Sequence, residues 1–111
     1  MAGDATGGWV ASAASIAAAL TDETVRAAPG AGKYLVLEKI VFSNEGTANS
    51  FILEYDTTQV YPPTGAIYLG ANQTFDSGKL PYPITLAANK ALTVTTTAAD
   101  HSCTIVHGYT K

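Results

Sequence analysis

Between Lys33 and Asn44 the chain reads Lys-Tyr-Leu-Val-Leu-Glu-Lys-Ile-Val-Phe-Ser-Asn, its longest apolar-rich run with β-branched and aromatic content. Turn residues bound it, Pro29-Gly30-Ala31-Gly32 before and Asn44-Glu45-Gly46 after, as expected of a buried strand. Leu35 and Leu37 share one parity, whereas Ile40 and Phe42 share the other. One extra residue at Glu38-Lys39 resets the alternation and brings all four to one face, so the pattern predicts a β-bulge there. We read this run as a central strand whose apolar face is covered by the later strands.

Ala48 to Asp56 alternates Phe51, Leu53 and Tyr55 against Ser50, Ile52 and Glu54, a second long strand. The Asn44-Glu45-Gly46 signal predicts a hairpin between the two. Ala91 to Thr97 places Leu92 and Val94 on one face and Thr93, Thr95 and Thr97 on the other. Shorter strands are read at Thr21 to Ala28, Ala66 to Leu69, Gln73 to Asp76 and Leu80 to Ile84, and a last one at Ser102 to Thr110. Pro62 and Pro63 cannot donate to a ladder, so Gln59 to Gly65 reads as a loop or a sheet edge. About eight strands at short spacing, without an internal repeat, predict an all-β antiparallel sandwich, with the jelly roll as the natural eight-stranded option.

Ahead of this body, Met1 to Gly8 is small and Gly-rich. From Ala11 to Leu20 the chain is almost wholly Ala, Ser, Ile and Leu. Ile16 and Leu20 have helical i, i+4 spacing, yet Val10, Ser12, Ala14, Ile16, Ala18 and Leu20 share the parity of a strand. We take the extended reading, which divides the chain into an N-terminal arm, residues 1–20, and a sandwich domain, residues 21–111. Trp9, the only tryptophan, sits beside Gly7-Gly8. It is either a docking anchor, with Val10, Ile16 and Leu20, or a cap folded back on its own domain.

Composition narrows the function. The 111 residues suit one domain large enough to hold a core without metal or disulfide. Only 14% of residues are charged, so Ser, Thr, Asn, Gln and Gly must wet much of a weakly charged surface of the kind often found against a partner. Net charge is −3 and the six Lys and Arg are scattered, which argues against nucleic-acid binding. No apolar run is long enough for a helical membrane span. Cys103 is alone, and the amino end lacks the basic start of a secretion signal, so an unprocessed intracellular product is expected.

No stretch carries convincing catalytic or metal chemistry. Gly30-Ala31-Gly32-Lys33 lacks the remaining glycine, the following Ser or Thr and the following helix of a phosphate loop, and reads as a turn. His101, Cys103 and His107 share a strand parity but have no positioned further ligand, so no metal is expected. Asp100, His101 and Ser102 are consecutive, and a triad needs such groups to converge from separate places. Asn72-Gln73-Thr74 is a glycosylation sequon that reads as chance without a secretion signal. We therefore expect no enzyme and no cofactor. Tyr61 and Tyr82, each next to proline, are candidate exposed aromatics for a sugar or a protein, unless they cover the ends of the sandwich.

At Arg26-Ala27-Ala28-Pro29-Gly30-Ala31-Gly32-Lys33, followed by Ile40-Val41-Phe42-Ser43-Asn44, the chain resembles a group of small bacteriophage virion proteins. In these an Ala-Pro-Gly-x-Gly-Lys turn feeds an apolar strand ending in Ser-Asn. Ala91-Leu92-Thr93-Val94 and Gly108-Tyr109 extend the likeness over about residues 24 to 110; the residues before Thr21 match no such pattern. The resemblance implies a β-sandwich or jelly-roll module serving as a capsid decoration (cement) protein, a head fibre or a tail component, commonly as a trimer. It further implies synthesis in the host cytoplasm, a place on the capsid surface of the virion, and the major capsid protein or another virion protein as partner. A carbohydrate-binding sandwich is the alternative.

Overall fold

The computed structural model describes residues 8–99 and 101–111. These form ten strands: Gly8–Ser15 (β1), Glu23–Arg26 (β2), Leu35–Asn44 (β3), Asn49–Tyr55 (β4), Thr58–Tyr61 (β5), Ile67–Leu69 (β6), Gln73–Asp76 (β7), Ile84–Thr85 (β8), Leu92–Thr96 (β9) and Ser102–Thr110 (β10). All pairings are antiparallel and fall into two packed sheets. One runs β1-β10-β3-β7, with β8 also on β3; the other runs β2-β9-β4-β5, with β6 also on β4. β7 and β8 occupy successive lengths of the same β3 edge, and β5 and β6 do the same on β4. Each sheet is thus four positions wide, its last position shared by two short strands. The prolines explain part of the splitting, since Pro62-Pro63 and Pro81-x-Pro83 interrupt what would otherwise be longer edge strands.

The central strand is built as its pattern requires. His107 faces Lys39 and Gly108 faces Leu37, so Glu38 is the extra residue of a bulge on β3. Leu35, Leu37, Ile40 and Phe42 are all fully buried in one cluster. The chain between β7 and β8 covers the bulge: Ser77 N–H donates to the Ile40 carbonyl (2.9 Å), Leu80 N–H to that of Glu38 (2.7 Å), and Ile40 N–H to Ser77 Oγ (2.9 Å). Facing this strand, β4 and β9 contribute Phe51, Leu53, Leu92 and Val94 to the core. Phe42 stacks on Phe51 across the layers, centroids 4.9 Å apart, and Phe75 continues the aromatic row 6.1 Å from Phe42.

Asn44-Glu45-Gly46 does not make the expected hairpin. β3 and β4 lie in different sheets, and the turn carries the chain from one layer to the other. Two buried asparagines account for the change. Asn44 Nδ2 donates to the carbonyls of Thr47 (2.8 Å) and Gly70 (2.9 Å). Asn49 Oδ1 accepts from the N–H groups of Ser50 (2.8 Å), Thr97 (3.0 Å) and Ala98 (2.9 Å), and Asn49 Nδ2 reaches Asn44 Oδ1 (3.4 Å). The Thr47 carbonyl and Ser50 N–H beside the turn, and backbone groups of the neighbouring Gly70 and Thr97-Ala98 segments, are bonded to these side chains, a role open to Asn at turns.

Candidate functional site

The segment expected as a free arm is part of the body from Gly8 onward. β1 pairs with β10 in unbroken register from Gly8 opposite Tyr109 to Ser15 opposite Ser102. Its inward parity places Trp9 and Ala13 in the core. The Trp9 ring lies over Gly108, where an added Cβ would stand 2.8 Å from two ring carbons and 2.2 Å from the Val36 carbonyl oxygen, so only glycine admits it. Trp9 Nε1 donates to Thr110 Oγ1 (3.2 Å), and the Arg26 guanidinium lies 5.0 Å from the ring centroid. Trp9 therefore closes the open side between β1 and β2 and is not a free docking anchor. The sequence leaves the choice between anchor and cap open because the deciding element, Gly108, lies about a hundred positions away and looks like any other glycine in a strand.

Past β1, Ser15 Oγ donates to the Ala18 carbonyl and accepts from Ala18 N–H (3.1 Å), which turns the chain toward the second sheet. Leu20 is then held against β9: its N–H donates to Thr96 Oγ1 (2.9 Å) and its carbonyl accepts from Thr96 N–H (2.9 Å). Leu20 is half-buried against the core, so it too leaves the set of free anchors. Val10 and Ile16 remain outward, 62% and 76% exposed.

Tyr61 and Tyr82 part ways. Tyr61 faces inward against Phe75, centroids 6.1 Å apart, and burial pushes its phenol above the ordinary value. Its role is to close the β5–β7 side of the sandwich, a correction to its expected exposure. Tyr82 stands 85% exposed between its prolines. A third aromatic, Tyr68, is 77% exposed on the outer face of the second sheet and was missed by the sequence reading. The signal was present in Ile67-Tyr68-Leu69, because the parity that buries Leu69 turns Tyr68 outward. Around Tyr68 lie hydroxyls that bond to one another, among them Ser50 Oγ and Thr97 Oγ1 at 2.9 Å.

A cleft of about 450 Å³ crosses one end of the first sheet and is lined by Ser43, Thr74, His101 and Cys103 among others. His101 Nδ1 lies 3.2 Å from Glu45 Oε1. Burial raises the Cys103 thiol pKa, which disfavours the reactive thiolate. His107 is four residues along the same strand from Cys103, roughly 13 Å at strand rise, too far to share an ion. Among the described residues no group of three His, Cys, Asp or Glu is placed to hold a metal. Asp100, the first member of the consecutive triad types, lies outside the described residues. Gly30-Ala31-Gly32-Lys33 forms a turn, with Lys33 N–H donating to the Gly30 carbonyl (3.1 Å) and Gly30 N–H to Asn89 Oδ1 (2.9 Å), and β3 follows it.

Neither protein-family models nor curated proteins give a match to this chain.

Proposed function

We propose that this chain is a non-enzymatic virion structural protein, a capsid decoration protein that binds and reinforces the shell of a bacteriophage. The observation that carries the reading is the strand order. Taking each split pair as one position, the sheets run 1-10-3-7/8 and 2-9-4-5/6, an interleaving that supports a jelly-roll reading of the sandwich, an architecture used repeatedly by viral capsid proteins. The sequence resemblance to phage virion modules points the same way. So does a sparsely charged surface that leaves Val10 and Ile16 bare beside β1. Repetition around a homo-oligomer, a trimer by the resemblance, would multiply weak contacts through avidity.

The test is co-sedimentation with capsids assembled without this chain. Deleting residues 1–20 is unsuitable, because it removes Trp9 and a full strand from the body. Val10→Asp with Ile16→Asp changes only exposed positions. The unaltered chain is expected to pellet with capsids and the double variant to stay in solution with its circular-dichroism spectrum unchanged. An unaltered chain that never pellets refutes the reading; equal pelleting removes the Val10–Ile16 contact.

A carbohydrate-binding module, alone or in a tail or fibre, is the second reading, favoured by the exposure of Tyr68 and Tyr82. Aromatic rings held outward can stack on sugar rings. Glycan-array binding lost on Tyr68→Ala and Tyr82→Ala would favour it, and a silent array would count against it.

A further inference from the structure

We infer that the free edge of β1 is a pairing edge that takes β1 of a second copy of this chain, antiparallel, joining the two first sheets into one continuous sheet.

The inference comes from comparing the edges of the molecule. An edge strand exposes unpaired N–H and C=O groups, and folded proteins guard such edges with short length, prolines, charges and bulges. Every other edge here is guarded. β2 has four residues, a register shift between Thr24 and Arg26, and two charges, Glu23 and Arg26. β5 has four residues and runs into Pro62-Pro63, while β6 has three. β7 has four residues and ends in Asp76, which is paired with Lys39 (3.5 Å). β8 has two residues and follows Pro83. β1 alone has eight residues in unbroken register, with no proline, charge or bulge. Among the described residues no other strand pairs with it, and no backbone bond from a loop reaches it.

The sequence of β1 also suits itself as occupant. A twofold axis normal to the sheet keeps inner residues opposite inner ones, which requires paired positions to have an even sum. Centred on Ser12, the outer face pairs Ser12 with Ser12 and Val10 with Ala14, and the inner face pairs Ala11 with Ala13 and Trp9 with Ser15. These pairs bring no like charges together. Each Trp9 faces the small Ser15 of the other copy, so its bulk meets no second large side chain. Alternate residues along β1 would then exchange main-chain hydrogen bonds with their copies. A pairing of this kind is twofold, so any threefold association uses other surfaces.

The experiment is sedimentation equilibrium of the purified full chain, without capsid, together with Ser12→Lys. Ser12 is exposed, so the substitution leaves the body intact but sets two ammonium groups opposite each other at the axis. The unaltered chain is expected to show concentration-dependent even-numbered association, and Ser12→Lys to weaken it at least about tenfold with an unchanged circular-dichroism spectrum. A chain that stays monomeric at about 100 µM, more than tenfold above a micromolar dissociation constant, overturns the inference. So does an assembly indifferent to Ser12→Lys. In a Cys103→Ser background, Ser12→Cys is expected to form a disulfide between copies under mild oxidation, because opposed Cα atoms of an antiparallel pair lie within disulfide reach. A dimer that does not cross-link overturns the centring on Ser12. None of these outcomes depends on capsid binding, so failure here is distinguishable from failure of the decoration reading.

Discussion

Trp9→Ala separates a core role for the amino-terminal strand from a docking role. Trp9 is 7% exposed, lies on Gly108, donates to Thr110 Oγ1 and lies near the Arg26 guanidinium. Truncating a buried tryptophan to alanine costs about 3–5 kcal/mol, the lost transfer energy plus the cavity left behind. A domain of this kind has about 5–15 kcal/mol in total, so the loss is a large share of it. With a urea slope of about 1.5 kcal/mol per M, a loss of about 4 kcal/mol lowers the unfolding midpoint by about 2.7 M. Because Trp9 is the only tryptophan, far-UV circular dichroism is the probe common to both proteins. An exposed anchor would leave the midpoint nearly in place, as surface substitutions change stability by only about 0.5 kcal/mol or less. A shift below about 0.4 M would therefore remove Trp9 from the core and refute the reasoning that makes β1 part of the body.

Asn49→Ala takes away the acceptor shared by the N–H groups of Ser50, Thr97 and Ala98, and should cost on the order of 3 kcal/mol, seen in a thermal melt as a fall of about 15 °C. A fall under about 3 °C would show that the turn between sheets does not depend on it. The Asp76 carboxyl is held below the ordinary range, first by the Gly78 N–H it accepts and then by the Lys39 ammonium. Its folded pKa is thus below its unfolded one, so its stabilisation is complete above the ordinary value of about 3.9 and is lost as pH falls through the lower folded value. Asp76→Asn should flatten that acid limb of the stability curve, and salt should weaken the Lys39 share; a limb identical in shape to that of the unaltered chain counts against the pairing.

Local pattern made the centre of the fold legible. The parity switch within β3 located the bulge at Glu38, because only one inserted residue puts Leu35, Leu37, Ile40 and Phe42 on a single face. Phe51 and Leu53, and likewise Leu92 and Val94, were readable as inward rows for the same reason. The errors fell where distant side chains decide. Asn44-Glu45-Gly46 has the composition of a hairpin, but the Asn44–Asn49 pair redirects it between sheets. Trp9 and Leu20 looked available as anchors until Gly108, Thr110 and Thr96 were brought beside them. Tyr61 looked exposed because proline follows it, yet Phe75 of the opposite sheet receives its ring. Tyr68 shows the converse: its strand was read, and its neighbours' alternation was sufficient to turn it outward without any distant contact.

Cryo-electron microscopy of purified particles tests capsid decoration most directly. A sandwich with principal extents of 39 × 28 × 25 Å is predicted on the outer surface of the shell, repeated at capsid symmetry positions, with Val10 and Ile16 turned toward neighbouring subunits. A shell bare of this density, or the same body found only on the tail, would contradict it.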